Sequence, residues 1–270
     1  MNITNITLGG KYGHKQAMLE SLADSYIPSV PAQFQELPDR MALTKIDAIV
    51  KSGQHLSFQE AFSGMALVIA ATNNVFRWEH YPDMSYEEAI SKGTAFLQLL
   101  AVKESLTGLV PEEVAGLAAA GMCDLIIKPS VPEGYVVETC GMGGDSGWGS
   151  KKVKTINAST LSAIVLASLG LTTFKHGSYG NTTAVGSTDV PVSFGACICN
   201  HSQAEIEELI RRVSFWYSDA HAVKTLHYLS HLLMVETVNH IVGPMTMPVG
   251  SKTTIYKVMG DFGLRDIMCG

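Results

Sequence analysis

The chain has 270 residues, 46% of them hydrophobic and 16% charged, with a formal net charge of −6. This composition excludes a disordered protein and fits one large domain with a smaller one beside it. The acidic balance also argues against a nucleic-acid partner, which would need a basic surface. The five cysteines (Cys123, Cys140, Cys197, Cys199, Cys269) form no CxxC pair and read as reduced thiols of a cytoplasmic protein. No basic segment precedes an apolar run at the start, and the best apolar run, Met65 to Ala71, is far too short for a bilayer, so no membrane partner is expected.

Taken in chain order, residues 14–26, 41–53 and 57–72 carry apolar positions at helical spacing. Ser57 followed by Glu60 is a capping box opening the third of these, and Ser85 with Glu88 repeats the pattern before "YEEAISKGTAFLQLLAVKES". Pro111 marks the next helix start, in "VPEEVAGLAAAGM". The texture then changes. "DLIIKP" and "GYVVETCG" are short β-branched runs ended by Pro and Gly, "STLSAIVLASLG" is a helix stopped by Gly170, and "LTTFKHG" is the next strand. Strand, loop, helix and strand in succession mark a parallel α/β sheet. "SQAEIEELIRRVSFWY" and "AHAVKTLHYLSHLLMVETVNHI" read as helices again.

The fold class expected is α/β: a small mainly α-helical N-terminal domain, residues 1–123, and a larger α/β domain with a mostly parallel central sheet, residues 124–270. Helices around 203–240 are candidates to pack with the helical domain.

"CGMGGDSGWGSKKVKTINAST", Cys140 to Thr160, lies between a strand and a helix, where α/β folds bind ligands. It fits neither GxGxxG nor a Walker A loop, because Ser146 and Ser150 stand where glycine and lysine would be required. The physics of anion binding still applies: glycines let backbone amides approach, and the helix start offers free N–H groups. Asp145 would repel a bare phosphate, but suits a ligand that also carries hydroxyls or a divalent cation. A sugar phosphate or a magnesium diphosphate meets both conditions. The structural alternative is a glycine-rich turn followed by an ordinary N-cap.

With "TINASTLSAIVLASLG", "KHGSYGNTTAVGSTDV" and "ETVNHIVGPMTMP" in order, the chain resembles the anthranilate phosphoribosyltransferase family, whose superfamily includes the pyrimidine nucleoside phosphorylases. The family pattern is GTGGD, an N-x-S-T helix start, KHGN, GSAD and GPLTNP, and the resemblance runs from about residue 43 to residue 250. It implies that Gly141, Gly143, Gly144 and Asp145 hold the diphosphate of phosphoribosyl diphosphate. By the same resemblance Thr155, Asn157, Ser159 and Thr160 bind phosphates, and Ser159 also touches Mg²⁺. Lys175, His176, Gly177 and Ser187 match the next loops, with Lys175 and Ser187 facing the donor and Lys175 and His176 in catalytic roles; Ser178, beside them, is counted with the substrate-binding residues. Such a site needs no covalent nucleophile; it stabilises departing diphosphate and an oxocarbenium-like ribose with fixed charges and donors.

Several positions depart from the family. The segment from Asp145 to Asn157 is longer and contains Lys151, Lys152 and Lys154, either a solvated face or extra phosphate ligands. The family asparagine after KHG is Ser178 here. No arginine lies between Arg212 and Arg265, so the one the family places on the anthranilate carboxylate is missing; Ser230 or a neighbour stands there. A carboxylate buried without that partner is poorly compensated. The family's Asp-Glu metal pair is absent too, with Asp261 and Asp266 as candidate substitutes. This leaves a shortened form, a second polypeptide completing the sheet, or altered metal binding.

The reading that results is a Mg²⁺-dependent phosphoribosyltransferase acting on an aromatic or heterocyclic nitrogen acceptor other than anthranilate, in an acceptor site of His176, Ser178 and a helix around Tyr217 to Ser230. The resemblance implies a homodimer, or a second chain completing the fold. A nucleoside phosphorylase and a non-catalytic phosphoribosyl-binding member are the alternatives. Other features have ordinary explanations: His227 and His231 at i, i+4 read as a core or surface pair rather than metal ligands, Cys140 as a packed strand residue, and "FWYSD" as an aromatic helix face or an acceptor stack.

Overall fold

The structure is a computed structural model; it describes residues 42–123, 129–131, 135–140, 157–179, 185–198, 201–219, 228–229, 232–233, 237–246 and 254–259. Of these, residues 42–123, 228–229, 232–233 and 237–246 form a helical unit and the remainder an α/β unit. Among the described residues no helix is long and apolar enough to cross a membrane.

The helical unit is built round α2, Phe58–Thr72, which is buried from Ala61 to its end. Helix α1, Ala42–Lys51, precedes it, and α4 (Tyr86–Thr107) and α5 (Pro111–Cys123) pack along it. A helix with apolar residues on every side has no face to offer water, so it becomes the centre of a bundle. Ser57 starts it as expected: its hydroxyl accepts from the Glu60 N–H at 3.2 Å, and the Glu60 carboxylate accepts from the Ser57 N–H at 3.0 Å. Gly64 gives its space to the Phe96 ring, which a Cβ there would meet at 2.1 Å, and Gly116 lets α5 approach the Phe58 carbonyl to within 2.3 Å of a Cβ. Leu229, Val238, Ile241 and Val242 join this core, the last two from α9, Asn239–Met245.

One helix of this unit is absent from the sequence reading. Asn73 ends α2 and at once caps α3, Asn74–His80, by accepting from the Phe76 N–H at 2.9 Å. The cap residue was visible in the sequence; the seven-residue helix is too short to show an apolar period.

The helical core also contains charge. Lys103 and Glu113 are both buried and pair at 2.9 Å. Lys103 Nζ also donates to the Gly108 carbonyl at 2.8 Å and meets His55 Nδ1 at 2.8 Å. Glu113 accepts from the backbone N–H of Leu56 at 2.7 Å and of Val110 at 2.9 Å. The pair thus satisfies the turn between α4 and α5 and the chain entering α2.

The α/β unit has a four-stranded, wholly parallel sheet of order β3-β2-β1-β4: β1 Tyr135–Cys140, β2 Thr173–Gly177, β3 Phe215–Asp219 and β4 Thr254–Met259. Helix α6, Ala158–Ser168, connects β1 to β2 and ends before Gly170, whose φ is +87°. Between β2 and β3 come a short helix α7, Asp189–Ser193, and α8, Gln203–Val213, which opens on a Ser202–Glu205 capping box. The Ser130 N–H donates to Glu207 of α8 at 2.9 Å, and with Gln203 holds that carboxyl below its usual range.

The α/β unit corrects one expectation. The helix read through "RRVSFWY" stops at Val213; Ser214 takes a left-handed conformation at φ 54°, its N–H bonding the Ile210 carbonyl, and Phe215–Asp219 becomes strand β3. The acceptor helix expected from Tyr217 therefore begins as a strand, and "FWYSD" is no aromatic helix face. Aromatic residues favour a half-buried pleated surface, and here Trp216 meets Phe174 edge to face at 5.3 Å.

Replacing Lys103 with Met would leave the Glu113 carboxylate buried without its cation. We expect the stability of the helical unit to fall by about 3–5 kcal/mol, read by urea denaturation with helical ellipticity as the signal.

Candidate functional site

Between β1 and its two neighbours the sheet reverses its direction of growth: β2 lies on one side and β4 on the other. In open parallel sheets the crevice outside the carboxyl ends of such strands is where ligands bind. The glycine-rich segment leaves the end of β1 at this point, directly after Cys140.

The hydroxyl of Thr139, one residue before the end of β1, donates to the Ser159 carbonyl at 2.7 Å. It thereby fastens the first turn of α6 beside the end of the strand. Asn157 occupies the N-cap position of α6 yet makes no side-chain capping hydrogen bond. The ordinary-cap explanation of this asparagine therefore does not hold, and its amide is left for another partner. Thr160, in the same turn, is fully buried, and its Oγ1 has no hydrogen-bond partner among the described residues. An unpaired buried hydroxyl costs about 1–3 kcal/mol. Asn157 and Ser159 are half-buried beside it.

Strand β2 brings Lys175 and His176 to the same end of the sheet. Successive strand residues point to opposite faces. Lys175 and Thr139 therefore share the α6 face, whereas His176 points to the other. Lys175 is buried, with Nζ donating to the His176 carbonyl at 2.5 Å. His176, also buried, is in hydrogen-bond contact through Nδ1 with the buried carboxylate of Glu138 on β1.

Gly177 ends β2 against Ser187: a Cβ there would lie 2.6 Å from Ser187 Cβ and 2.7 Å from Tyr217 Oη. Thr188 fastens this contact. Its N–H donates to the Ser178 carbonyl at 3.0 Å, and its hydroxyl reaches the Gly177 carbonyl at 3.1 Å and Tyr217 Oη at 2.9 Å. Asp189 accepts from the Gly186 N–H at 2.7 Å. The "KHGS" and "GSTD" segments are thus one structure, held by strand β3.

The structure therefore gathers Asn157, Ser159 and Thr160 at the start of α6 and Lys175, His176, Gly177, Ser178 and Ser187 at the end of β2, all in the α/β unit. Gly141, Gly143, Gly144, Asp145 and Thr155 lie outside the described residues, as do Lys151, Lys152 and Lys154, His227 and His231, Ser230, Asp261 and Asp266. Of the expected acceptor residues, Tyr217 belongs to the α/β unit. Tyr228 belongs to the helical unit, where its hydroxyl meets that of Tyr86 at 2.5 Å; burial first, then Tyr86, push the Tyr228 hydroxyl above its usual range. Three residues of this region had no role in the sequence reading: Glu138, Thr139 and Thr188. Thr188 sat in plain view in "GSTD", and Glu138 and Thr139 stood two and one residues before the end of the strand leading into the glycines. Among the described residues no three His, Cys, Asp or Glu side chains gather as a metal site.

Comparison with known proteins places the chain beside one family. Residues 133–261 match the family model described as "Glycosyl transferase family, a/b domain". An anthranilate phosphoribosyltransferase of Listeria welshimeri is 33% identical over 172 residues, covering 62% of this chain and 47% of that protein. One from Methanosarcina mazei is 34% identical over 166 residues, 59% of this chain and 42% of that protein. The chain spans about half the length of the curated relatives it matches. Among solved structures, the anthranilate phosphoribosyltransferase of Thermus thermophilus superposes with a TM-score of 0.60 at 24% identity, over 83% of this chain and 59% of that one. That of Saccharomyces cerevisiae in complex with PRPP and Mg gives 0.62 at 21% identity, over 83% and 60%. At these identities the solved structures bear on the fold, which they share.

Replacement of Gly177 by Ala would drive a methyl into Ser187 and Tyr217. We expect it to lower the unfolding free energy by about 1–3 kcal/mol. Chemical denaturation followed by tryptophan fluorescence, with Trp216 one residue from Tyr217, measures the loss.

Proposed function

The chain is a member of the glycosyl transferase superfamily that contains the anthranilate phosphoribosyltransferases, and from that premise we propose that it transfers ribose 5-phosphate from phosphoribosyl diphosphate to the nitrogen of an aromatic or heterocyclic acceptor. The observation that carries this reading is Thr160: a buried hydroxyl with no partner among the described residues, in the first turn of a helix whose N-cap side chain does not cap, at the switch point of a parallel sheet. A diphosphate oxygen would supply the missing partner, and the N-terminus of α6 would favour its charge.

In this reading the glycine segment with Asp145, together with Asn157, Ser159 and Thr160, binds the diphosphate. Lys175 balances its charge from β2. The Ser159 hydroxyl is a hard oxygen donor of the kind Mg²⁺ accepts alongside substrate phosphates, with Asp145 as its acidic partner. When bound, Mg²⁺ supplies positive charge against the diphosphate oxygens. The acceptor nitrogen gives its lone pair to C1 of the ribose while the C1–O bond breaks and its electrons leave with the diphosphate. Ser187 and Gly177 shape the donor side, and His176 and Ser178 the acceptor side.

We place the acceptor outside anthranilate itself, although the relatives named above are anthranilate phosphoribosyltransferases. The support is the absence of any arginine between Arg212 and Arg265, which leaves a carboxylate there without the bidentate partner that such a group needs. A homodimer belongs to the same proposal.

Calorimetric titration with phosphoribosyl diphosphate is expected to show binding that requires Mg²⁺. Thr160→Val should leave the free protein as stable or more so, because it removes an unpaired buried hydroxyl, yet weaken donor binding by about five- to tenfold through the lost hydrogen bond. Lys175→Met should weaken it by more than about tenfold, a charge-assisted bond being the stronger. Unchanged donor affinity in both variants would refute the site. Diphosphate release with aromatic amines or heterocycles, but not with anthranilate, supports the acceptor assignment, and turnover of anthranilate overturns it. Phosphate-dependent nucleoside cleavage would mark a phosphorylase, and binding without turnover a non-catalytic member.

A further inference from the structure

We propose that Glu138 is the positioning residue of His176, fixing its imidazole with the proton on Nδ1 and the lone pair on Nε2. The catalytic consequence rests on the phosphoribosyltransferase reading above; the pairing itself does not.

The geometry begins with register. Strands β1 and β2 are parallel, with Glu138 opposite Phe174, so Glu138, Phe174 and His176 share one face of the sheet. Glu138 is completely buried, His176 is 7% exposed, and the carboxylate touches Nδ1. Lys175 is buried next to them, but it projects from the opposite face of β2. A buried carboxylate is tolerated only where hydrogen bonds or an opposite charge compensate it. An ionised carboxylate can only accept, so the Nδ1 facing it must carry the hydrogen, and neutral imidazole then has its lone pair on Nε2.

Strand β2 ends one residue later at Gly177, so the paired ring stands near the carboxyl end of the sheet, on the face opposite Lys175. In the transfer, the acceptor amine forms its bond to C1 of the ribose as the C1–O bond breaks with its electron pair on the diphosphate. The amine's surplus proton passes to Nε2 of His176, while the Nδ1 hydrogen stays on the ring, donated to Glu138. With the opposite tautomer Nε2 would carry a hydrogen and could take no proton. Glu138 touches neither substrate in this scheme; it acts through His176.

The test is heteronuclear NMR of the histidine ring nitrogens, with the His176 signals among the nine histidines identified by their loss in His176→Gln. The wild-type ring should show a protonated Nδ1 and an unprotonated Nε2. Glu138→Gln, which can turn its amide N–H toward Nδ1, should mix or invert this pattern, and Glu138→Asp should partly keep it. In kinetics, Glu138→Gln should lower kcat by about 10²- to 10⁴-fold, the usual weight of a positioned base. The KM for phosphoribosyl diphosphate should stay within about twofold, because only the transition state loses an interaction. Glu138→Asp should recover part of kcat.

A protonated Nε2 in the wild type overturns the proposal, as does a folded Glu138→Gln protein with an unchanged spectrum and kcat. If Glu138→Gln does not fold, the wild-type spectrum and Glu138→Asp decide. If no acceptor is turned over, the functional reading fails by itself, and the ring spectra still decide the pairing.

Discussion

The hydrogen bond from Thr139 Oγ1 to the Ser159 carbonyl holds the start of α6 against the end of β1, and the site depends on that placement. Helix N–H groups attract an anion only from where their first turn is fixed. With the turn anchored at its backbone, Asn157 and Ser159 lie half-buried at the start of α6, and Thr160 is buried with no partner among the described residues. A side chain that performs the anchoring from the strand leaves those on the helix available for something else. That division of labour separates this helix start from the Ser57 and Ser202 starts, where the cap residue spends its own hydroxyl on the helix.

Each unit contains a buried carboxylate with a basic partner, and the two pairs differ in what surrounds them. Lys103 and Glu113 in the helical unit are met by two backbone N–H donors, a carbonyl and His55. Removing either partner would leave a charge with nowhere to go, so this pair is bound to the turn geometry it satisfies. Glu138 and His176 stand at the carboxyl end of the sheet, where the chain leaves its strands and the helix start faces the same edge. Burial in the first case stabilises a turn; in the second it holds an imidazole against a carboxylate at the end of the sheet.

The relatives and the superposed structures agree on the fold of the α/β unit. Diphosphate recognition draws on backbone amides, hydroxyls and a lysine, which survive substitution around them. Recognition of a carboxylate draws on an arginine fork, and losing it changes what can be held. Arginine is scarce here, and Arg77, the nearest to Tyr86, stacks over that ring at 5.4 Å and bonds the Ala70 carbonyl in the helical unit.

By itself the sequence determined what local chemistry decides. Ser57 with Glu60, Ser85, Pro111 and Gly170 mark where helices start and stop, because caps and breakers act on neighbouring backbone groups. The β-branched "YVVET" and "TTFKHG" runs were legible as strands and their alternation with helices as a parallel sheet, and the motif residues of the donor site stood at readable spacing. Strand β3 was not legible. Ile206, Ile210 and Val213 set a helical period that Trp216 and Tyr217 continue, and Ser214 carries no glycine-like stop signal although it adopts the left-handed turn. Only the sheet, by offering β2 as a partner for Phe215–Asp219, decides for strand. The same is true of Glu138, Thr139 and Thr188. Their neighbours in space are 38, 20 and 29 residues away in the chain, and no pattern in a linear sequence shows which distant side chain will satisfy a buried polar group.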